Sequence, residues 1–205
     1  YPVNLKVKGR LCTVIGGGGV ALRKAEALLD CGARVRLVAP ALDSGFEPLH
    51  GRIEHVARPY HWGDLKDSFL AIAATDDKDT NRAVEEEARG RHVLVNVVDS
   101  PGQCDFYVPS TVVRGDLLIT VSTGGQLPAL SRQLRKRLEA EFPEEWADVL
   151  DMMGKARQRL TFRVKGEEER RRCLTELAEM DLLPVFLDGG REAVEAAIDK
   201  CISQY

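Results

Sequence analysis

Residues 11–40 read LCTVIGGGGVALRKAEALLDCGARVRLVAP. An apolar run stops at four glycines, a helical pattern follows, and a second β-rich run closes the unit. Glycine is a poor helix former, so four of them at a helix start need a reason. A phosphate requires backbone N–H donors with no side chain in the way, and a helix beginning there turns its positive end toward the anion. Gly16, Gly18 and Ala21 match G-x-G-x-x-A. In that pattern Gly16 makes the tight turn, Gly18 admits a pyrophosphate, and Ala21 packs the helix against the sheet. A strand before the motif and a strand after its helix give it the context that a lone glycine pattern lacks. A triphosphate is disfavoured, because GK[ST] is absent.

The rest of the first half continues the alternation. Strands are expected at Leu11–Ile15, Arg34–Ala39, Ile53–Ala57, Phe69–Ala74 and Val93–Val97, with helices at Val20–Cys31 and Thr80–Arg89. The run FLAIAA is apolar throughout, as suits a strand buried on both faces of a parallel sheet. Ala21, Lys24, Ala25, Leu28 and Leu29 form one helical stripe, and Gly32 is a natural stop. This alternation predicts a Rossmann-like, doubly wound α/β sheet. After about residue 100 the pattern changes. SPGQCDFYVPSTVVRGD is turn-rich with one short strand, LLITVS is another strand, and TGGQLP is a loop. Pro128 opens a helix that runs to about Phe142, and three helical stretches fill the last sixty residues. The expected division is 1–112 for the dinucleotide domain, 113–145 for a small α+β segment and 146–205 for a helical domain.

The remaining composition narrows the chemistry. Apolar residues at 44% and charged residues at 30% suit a soluble globular chain, and a net charge of −3 gives no footprint for nucleic acid. No apolar run approaches a membrane span, and the start YPVNLKVKGR has no apolar signal core, so no membrane association is expected. The five cysteines are odd in number and form no CxxC pair, which fits reduced thiols in a cytoplasm. His50, His55, His61 and His92 are scattered, and no metal site is expected.

Ligands of this fold sit beyond the carboxyl ends of the strands. The glycine loop ends one strand, Thr75 and Asp76 end another, and Asn96 and Asp99 follow a third. Asp76 reads equally as a helix cap. Asp99, before Ser-Pro-Gly, reads as a turn former or as the carboxylate placed to move a proton beside a nicotinamide. Cys104 and Asp105 read as a buried thiol and a turn residue. No acid closes the second strand in the usual ribose-binding place; the nearest is Asp43, beyond Pro40. Arg34 and Arg36 invite a 2′-phosphate or simply face solvent, so the residues leave NAD against NADP open.

Four segments together carry a family resemblance: VIGGGGVALRKAEALLDCGARVRLVAP, LAIAATDD, NVVDSPGQCDFYVPS and LLITVSTGGQLPALSRQLRKRLE. In order and spacing they resemble the precorrin-2 dehydrogenase part of siroheme synthase, a unit also found in the bifunctional dehydrogenase–ferrochelatase. The match covers roughly residues 3–145. It implies NAD-dependent oxidation of precorrin-2 to sirohydrochlorin, and in some members insertion of ferrous iron as a second substrate. It implies a homodimer in which residues 113–145 help form the dimer and the active-site cleft. The family's catalytic aspartate falls on Asp99, and its cofactor contacts fall on the glycine loop, including Gly19 and Val20, and on Pro40 and Ala41. Some members carry a phosphorylated serine where this chain has Thr123, which is placed here with the substrate-binding residues. The methyltransferase domain of the fused synthases has no counterpart here, so methylation of uroporphyrinogen is expected from another protein.

The implied substrate carries eight carboxylates. SRQLRKRLE offers Arg132, Arg135, Lys136 and Arg137, with Arg132 and Lys136 on one helical face, either for that substrate or as a solvated surface. Two rival readings remain: an NAD(H)-sensing domain without turnover, and another NAD(P) oxidoreductase acting on a small carbonyl substrate, which would want a His, Lys or Tyr acid at the crevice and finds no obvious one beside these segments apart from Tyr107.

Overall fold

In the computed structural model, which describes Tyr1–Tyr205 throughout, the chain divides into two compact units, Tyr1–Val108 and Pro109–Tyr205. The first unit holds β1 (Leu11–Ile15), α1 (Gly19–Asp30), β2 (Arg34–Val38), β3 (Ile53–Val56), β4 (Leu70–Ala73), α2 (Lys78–Arg91) and β5 (Leu94–Val97). All five strands are parallel, in the order β3-β2-β1-β4-β5. β1 ends as expected, and the others are shorter than expected by a residue or two at their ends.

Strand alternation divides the core. Cys12, Val14 and Leu37 join Ala21 and Ala25 of α1 and Phe46 of a short 3-10 turn on one face. Ile15, Val38 and Val95 join Val84 and Ala88 of α2 on the other. Helices thus cover both faces, as a doubly wound sheet requires. From β3 the chain crosses back past β1 to β4, so the strand order reverses between β1 and β4. The crevice of such a sheet opens at that point.

Helix ends follow local chemistry. Asp77 caps α2, accepting from the Asp79 N–H at 3.1 Å and the Thr80 hydroxyl at 2.5 Å. The cap therefore belongs to Asp77 rather than Asp76, and the helix begins at Lys78, two residues before the expected Thr80. The crossover after β3 is pinned to α2 by Glu87, which is fully buried. Its carboxylate takes bonds from the Tyr60 hydroxyl (2.5 Å), the Gly63 N–H (2.8 Å) and Arg91 Nε (2.5 Å). Burial and the adjacent Glu87 hold the Tyr60 phenol well above its ordinary pKa. Beside it, Arg58 grips Asp64 through both carboxylate oxygens and holds that acid below its usual range.

β5 lies at the sheet edge, and the returning chain covers it. The Asp105 N–H donates to Val95 O at 2.8 Å, and the Val95 N–H donates to Asp105 Oδ2 at 2.9 Å.

The second unit holds β6 (Ser110–Arg114) and β7 (Leu117–Val121), an antiparallel hairpin with Val112 opposite Ile119. Four helices follow: α3 (Pro128–Glu141), α4 (Trp146–Arg163), α5 (Glu167–Glu179) and α6 (Leu182–Ile202). Val149, Met152 and Ala156 of α4 meet Cys173 and Leu177 of α5 and Val194 and Ile198 of α6 in one core. α6 breaks at Gly190, whose φ of 65° and ψ of −160° are not helical. Its first arm, residues 182–189, was not expected from the sequence.

The compact units are divided more coarsely than the three expected domains. The break lies at 108/109, and the hairpin and helices hold together as one unit. Arg114 of β6 is the fastener. Its Nε donates to Phe142 O at 2.7 Å, and its Nη1 pairs with Glu144 at 3.0 Å. Gly115, in the hairpin turn at φ 56°, lies so near α4 that a Cβ there would come 3.2 Å from Ala147 Cβ.

Candidate functional site

The four glycines divide into two pairs with different tasks. Gly16 has φ 125°, and a Cβ on it would come 2.3 Å from Ala74 O; a Cβ on Gly17 would come 2.0 Å from Ala41 O. These two let the loop thread between the carboxyl ends of β4 and β2. The Gly16 N–H donates to Val38 O at 3.0 Å, and Gly17 O accepts from the Asp43 N–H at 2.9 Å. Gly18 and Gly19 are exposed, with nothing closer than 3.9 Å to a Cβ on either.

Gly18 is the N-cap of α1, with no side-chain cap, and the first helical bond is Leu22 N–H to Gly18 O at 3.0 Å. The first-turn amides of Gly19, Val20 and Ala21 consequently have no helical carbonyl to bind. Bare amides, a positive helix end and the lack of a side chain on Gly18 itself fit a dinucleotide diphosphate. Pro40 and Ala41, which follow β2, are exposed beside this loop.

Thr75 and Asp76 follow β4. The Thr75 hydroxyl donates to Asn81 Oδ1 at 2.9 Å, and the Asn81 amide returns a bond to Thr75 O at 2.9 Å. Thr75 thus shapes the turn with its side chain committed, while Asp76 remains exposed.

Asp99 follows β5, where the Ser100 N–H folds back to Val97 O at 3.2 Å. It is exposed and left-handed, at φ 60°. Few residues other than glycine, asparagine and aspartate accept that conformation, and such local strain marks functional sites more often than others. The carboxylate has no hydrogen-bond or ion-pair partner within the chain and stands at the same sheet end as the glycine loop.

Asn96 differs from expectation. It is 8% exposed, and its amide donates to Phe106 O at 2.9 Å and to Cys104 Sγ at 3.5 Å. A side chain spent on holding the returning chain to β5 is not free for a substrate. Cys104 shares that work: the Val97 N–H donates to its sulfur at 3.3 Å, and its thiol lies 3.2 Å from Val97 O.

Lys24 was read only as part of a helical stripe. It is half-buried, and burial, with Arg23 beside it, draws its ammonium below the ordinary lysine range, while Cys104 opposes that shift. A cation three residues after Ala21 on the packed face was the available signal.

In the second unit, Thr123 accepts from the Leu127 N–H at 3.2 Å and pairs with the buried Ser131 hydroxyl at 3.1 Å, closing the loop ahead of α3. Gly124 and Gly125 in that loop are both left-handed. Arg132 and Lys136 are exposed on α3. Arg135 is paired with Glu139 one turn on and is the least free of the expected cations. Nowhere do three His, Cys, Asp or Glu residues gather as a metal set. No helix is long and apolar enough to cross a membrane.

A family model described as putative NAD(P)-binding matches residues 3–110, and one described as sirohaem biosynthesis protein central matches residues 114–141. The siroheme synthase of Thioalkalivibrio sulfidiphilus is 38% identical over 204 residues, covering 98% of this chain and 42% of that protein. That of Methylobacillus flagellatus is 37% identical over 204 residues, covering 98% and 44%. Siroheme synthase 1 of Yersinia enterocolitica is 42% identical over 173 residues, covering 83% and 37%. The chain thus spans less than half the length of these relatives. The solved structure of SirC, precorrin-2 dehydrogenase, superposes with a TM-score of 0.79 at 24% identity and full coverage of both chains, which establishes the shared fold.

Proposed function

The chain belongs to the putative NAD(P)-binding family, and we propose that it oxidises precorrin-2 to sirohydrochlorin with NAD. The observation that carries this is the pairing, at one end of one sheet, of an uncapped glycine loop with a free carboxylate on a left-handed residue. The sequence kinship to siroheme synthases over nearly the whole chain supports a tetrapyrrole as the substrate class.

The oxidation removes a hydride and a proton from a reduced tetrapyrrole. NAD, when bound, accepts the hydride. The amides of Gly18, Gly19 and Val20 hold the diphosphate, and Pro40 and Ala41 line the approach beyond β2. Asp99 takes the proton or orients the macrocycle. Its left-handed backbone turn sets the direction in which the side chain leaves the loop. Arg132 and Lys136, with the left-handed glycines ahead of α3, supply positive charge and N–H donors for an acidic ring.

We include a second copy of this chain as partner. Val113 and Leu118 on the hairpin and Leu127 and Leu130 at the start of α3 are 54%, 44%, 52% and 39% exposed, an apolar set that a partner would cover. Ferrous iron enters only as a further substrate, with the exposed Asp99 taking the two pyrrole protons one at a time and passing each to solvent.

The test supplies purified protein with precorrin-2 and NAD, then with sirohydrochlorin and ferrous iron. NADH formation and the sirohydrochlorin spectrum are expected in the first assay. No absorbance change there removes the dehydrogenase; none in the second removes iron insertion alone. Nucleotide binding without turnover would leave a sensor.

A further inference from the structure

The connection after β2 carries a charge that the oxidation does not use. The Asp43 N–H is bonded to Gly17 O at 2.9 Å, which ties the residue to the glycine loop by its backbone. Its Oδ2 lies 3.9 Å from where a Cβ on Gly18 would stand. Asp43 precedes the 3-10 turn Ser44–Leu49 but makes no side-chain cap to it, and its carboxylate is exposed. An anion with no partner is thus held over the loop where a diphosphate is expected.

The neighbouring cations are ordered around it. Arg34 begins β2, at the opposite end of the strand from the loop. Arg36 is paired with Glu54 at 3.0 Å, Arg58 with Asp64 at 2.6 Å, and His55 Nε2 lies 3.0 Å from Ala39 O. The cation near the loop is Arg23, whose Nη1 is 3.9 Å from a Cβ position on Gly19. Positive charge therefore stands on the helix side, over Gly19, and negative charge on the β2 side, over Gly18.

From this order we infer that Asp43 selects NAD over NADP, by accepting hydrogen bonds from the adenosine ribose hydroxyls and repelling a 2′-phosphate. The inference rests on the dinucleotide reading of the glycine loop. A carboxylate is acceptor-only, so it matches hydroxyl donors. A phosphate monoester carries about 1.5 to 2 negative charges at neutral pH and presents mainly acceptor oxygens, so it meets Asp43 with like charge. Asp43 takes up, from a later position in the chain, the task that an acid at the strand end performs in many related folds.

The experiment measures NAD and NADP dissociation constants by calorimetry for the wild-type chain, Asp43→Asn and Asp43→Ser, without tetrapyrrole. Both variants keep the backbone bond to Gly17, and circular dichroism checks their folding. The wild type is expected to bind NAD at least tenfold tighter than NADP, and each variant to lower that ratio at least tenfold. A ratio unchanged in both variants, or a wild type that prefers NADP, overturns the inference while leaving dinucleotide binding in place. A wild type that binds neither dinucleotide overturns the dehydrogenase reading, and this one with it.

Discussion

Gly17 and Gly18 are adjacent, and alanine at each should do opposite things. At Gly17 the new methyl would come 2.0 Å from Ala41 O and 3.1 Å from Ala39 Cβ. Ordinary contacts lie near 3.5 Å, so the backbone of the loop or of the β2 end must give way by about 1.5 Å. The obstacle is main chain that also carries the Asp43-to-Gly17 bond, so it has little room to move. Overpacking of this kind costs about 2–3 kcal/mol, and in a chain of this length that lowers the melting temperature by about 4–12 °C. At Gly18 the methyl meets nothing nearer than 3.9 Å, and φ −89° with ψ −178° suits any residue. Losing glycine at an N-cap costs no more than about 1 kcal/mol. That methyl does stand where the diphosphate approaches, and a charge-assisted amide bond lost there weakens NAD at least about tenfold. Thermal unfolding followed by circular dichroism, beside NAD titration by calorimetry, separates the two. A Gly17→Ala chain that melts with the wild type, or a Gly18→Ala chain with undiminished NAD affinity, would refute the division of labour drawn within the loop.

Asp99→Gly keeps the left-handed turn and removes the carboxylate, so it should melt no lower than wild type and bind NAD normally, yet form no NADH from precorrin-2; retained turnover would place the base elsewhere. Glu87→Ala leaves Tyr60, Gly63 N–H and Arg91 without their shared acceptor and should cost about 3 kcal/mol in urea unfolding; a loss below about 1 kcal/mol would mean the pin is not structural. The Asp64 pKa is depressed in the folded chain, chiefly by the Arg58 hydrogen bonds. The stability this gives is present above the carboxyl's unfolded value of 3.8 and is lost as pH falls through the lower folded value. Asp64→Asn should therefore flatten the acid limb of a stability–pH curve; a limb of unchanged slope argues against the pair.

The strand–helix alternation was legible because each element repeats with its own period, and G-x-G-x-x-A marks the join between the first two. What could not be read depends on contacts distant in sequence. Asp76 and Asp77 are identical as cap candidates until Thr80 and the Asp79 amide choose the second. Asn96 reads as a crevice residue until Phe106 returns along β5 and takes its amide. The tie between the hairpin and the helices was not legible either: Arg114, an ordinary strand-end cation in the sequence, finds Phe142 O and Glu144 some thirty residues on. Pro184 and the Gly189-Gly190 pair hid the first arm of α6, although proline is tolerated near a helix start and the glycines fall at its end. Lys24 was counted with its apolar neighbours because spacing alone does not say how deeply an ammonium is buried.

The Cys104 sulfur and the main chain of Val97 meet, so the peptide from one to the other is a ring of chain closed on a single strand residue. Asp99 rides on that ring two positions from the anchor, with Pro101 stiffening the far side. The acid is thus carried on a short lever held twice, by the thiol on one side and, through the Val98 N–H on Ala73 O, by the sheet on the other. A bulky adduct on Cys104 would open the ring at its sulfur closure and loosen the turn that carries Asp99, while the glycine loop, which makes no bond to that thiol, kept its place.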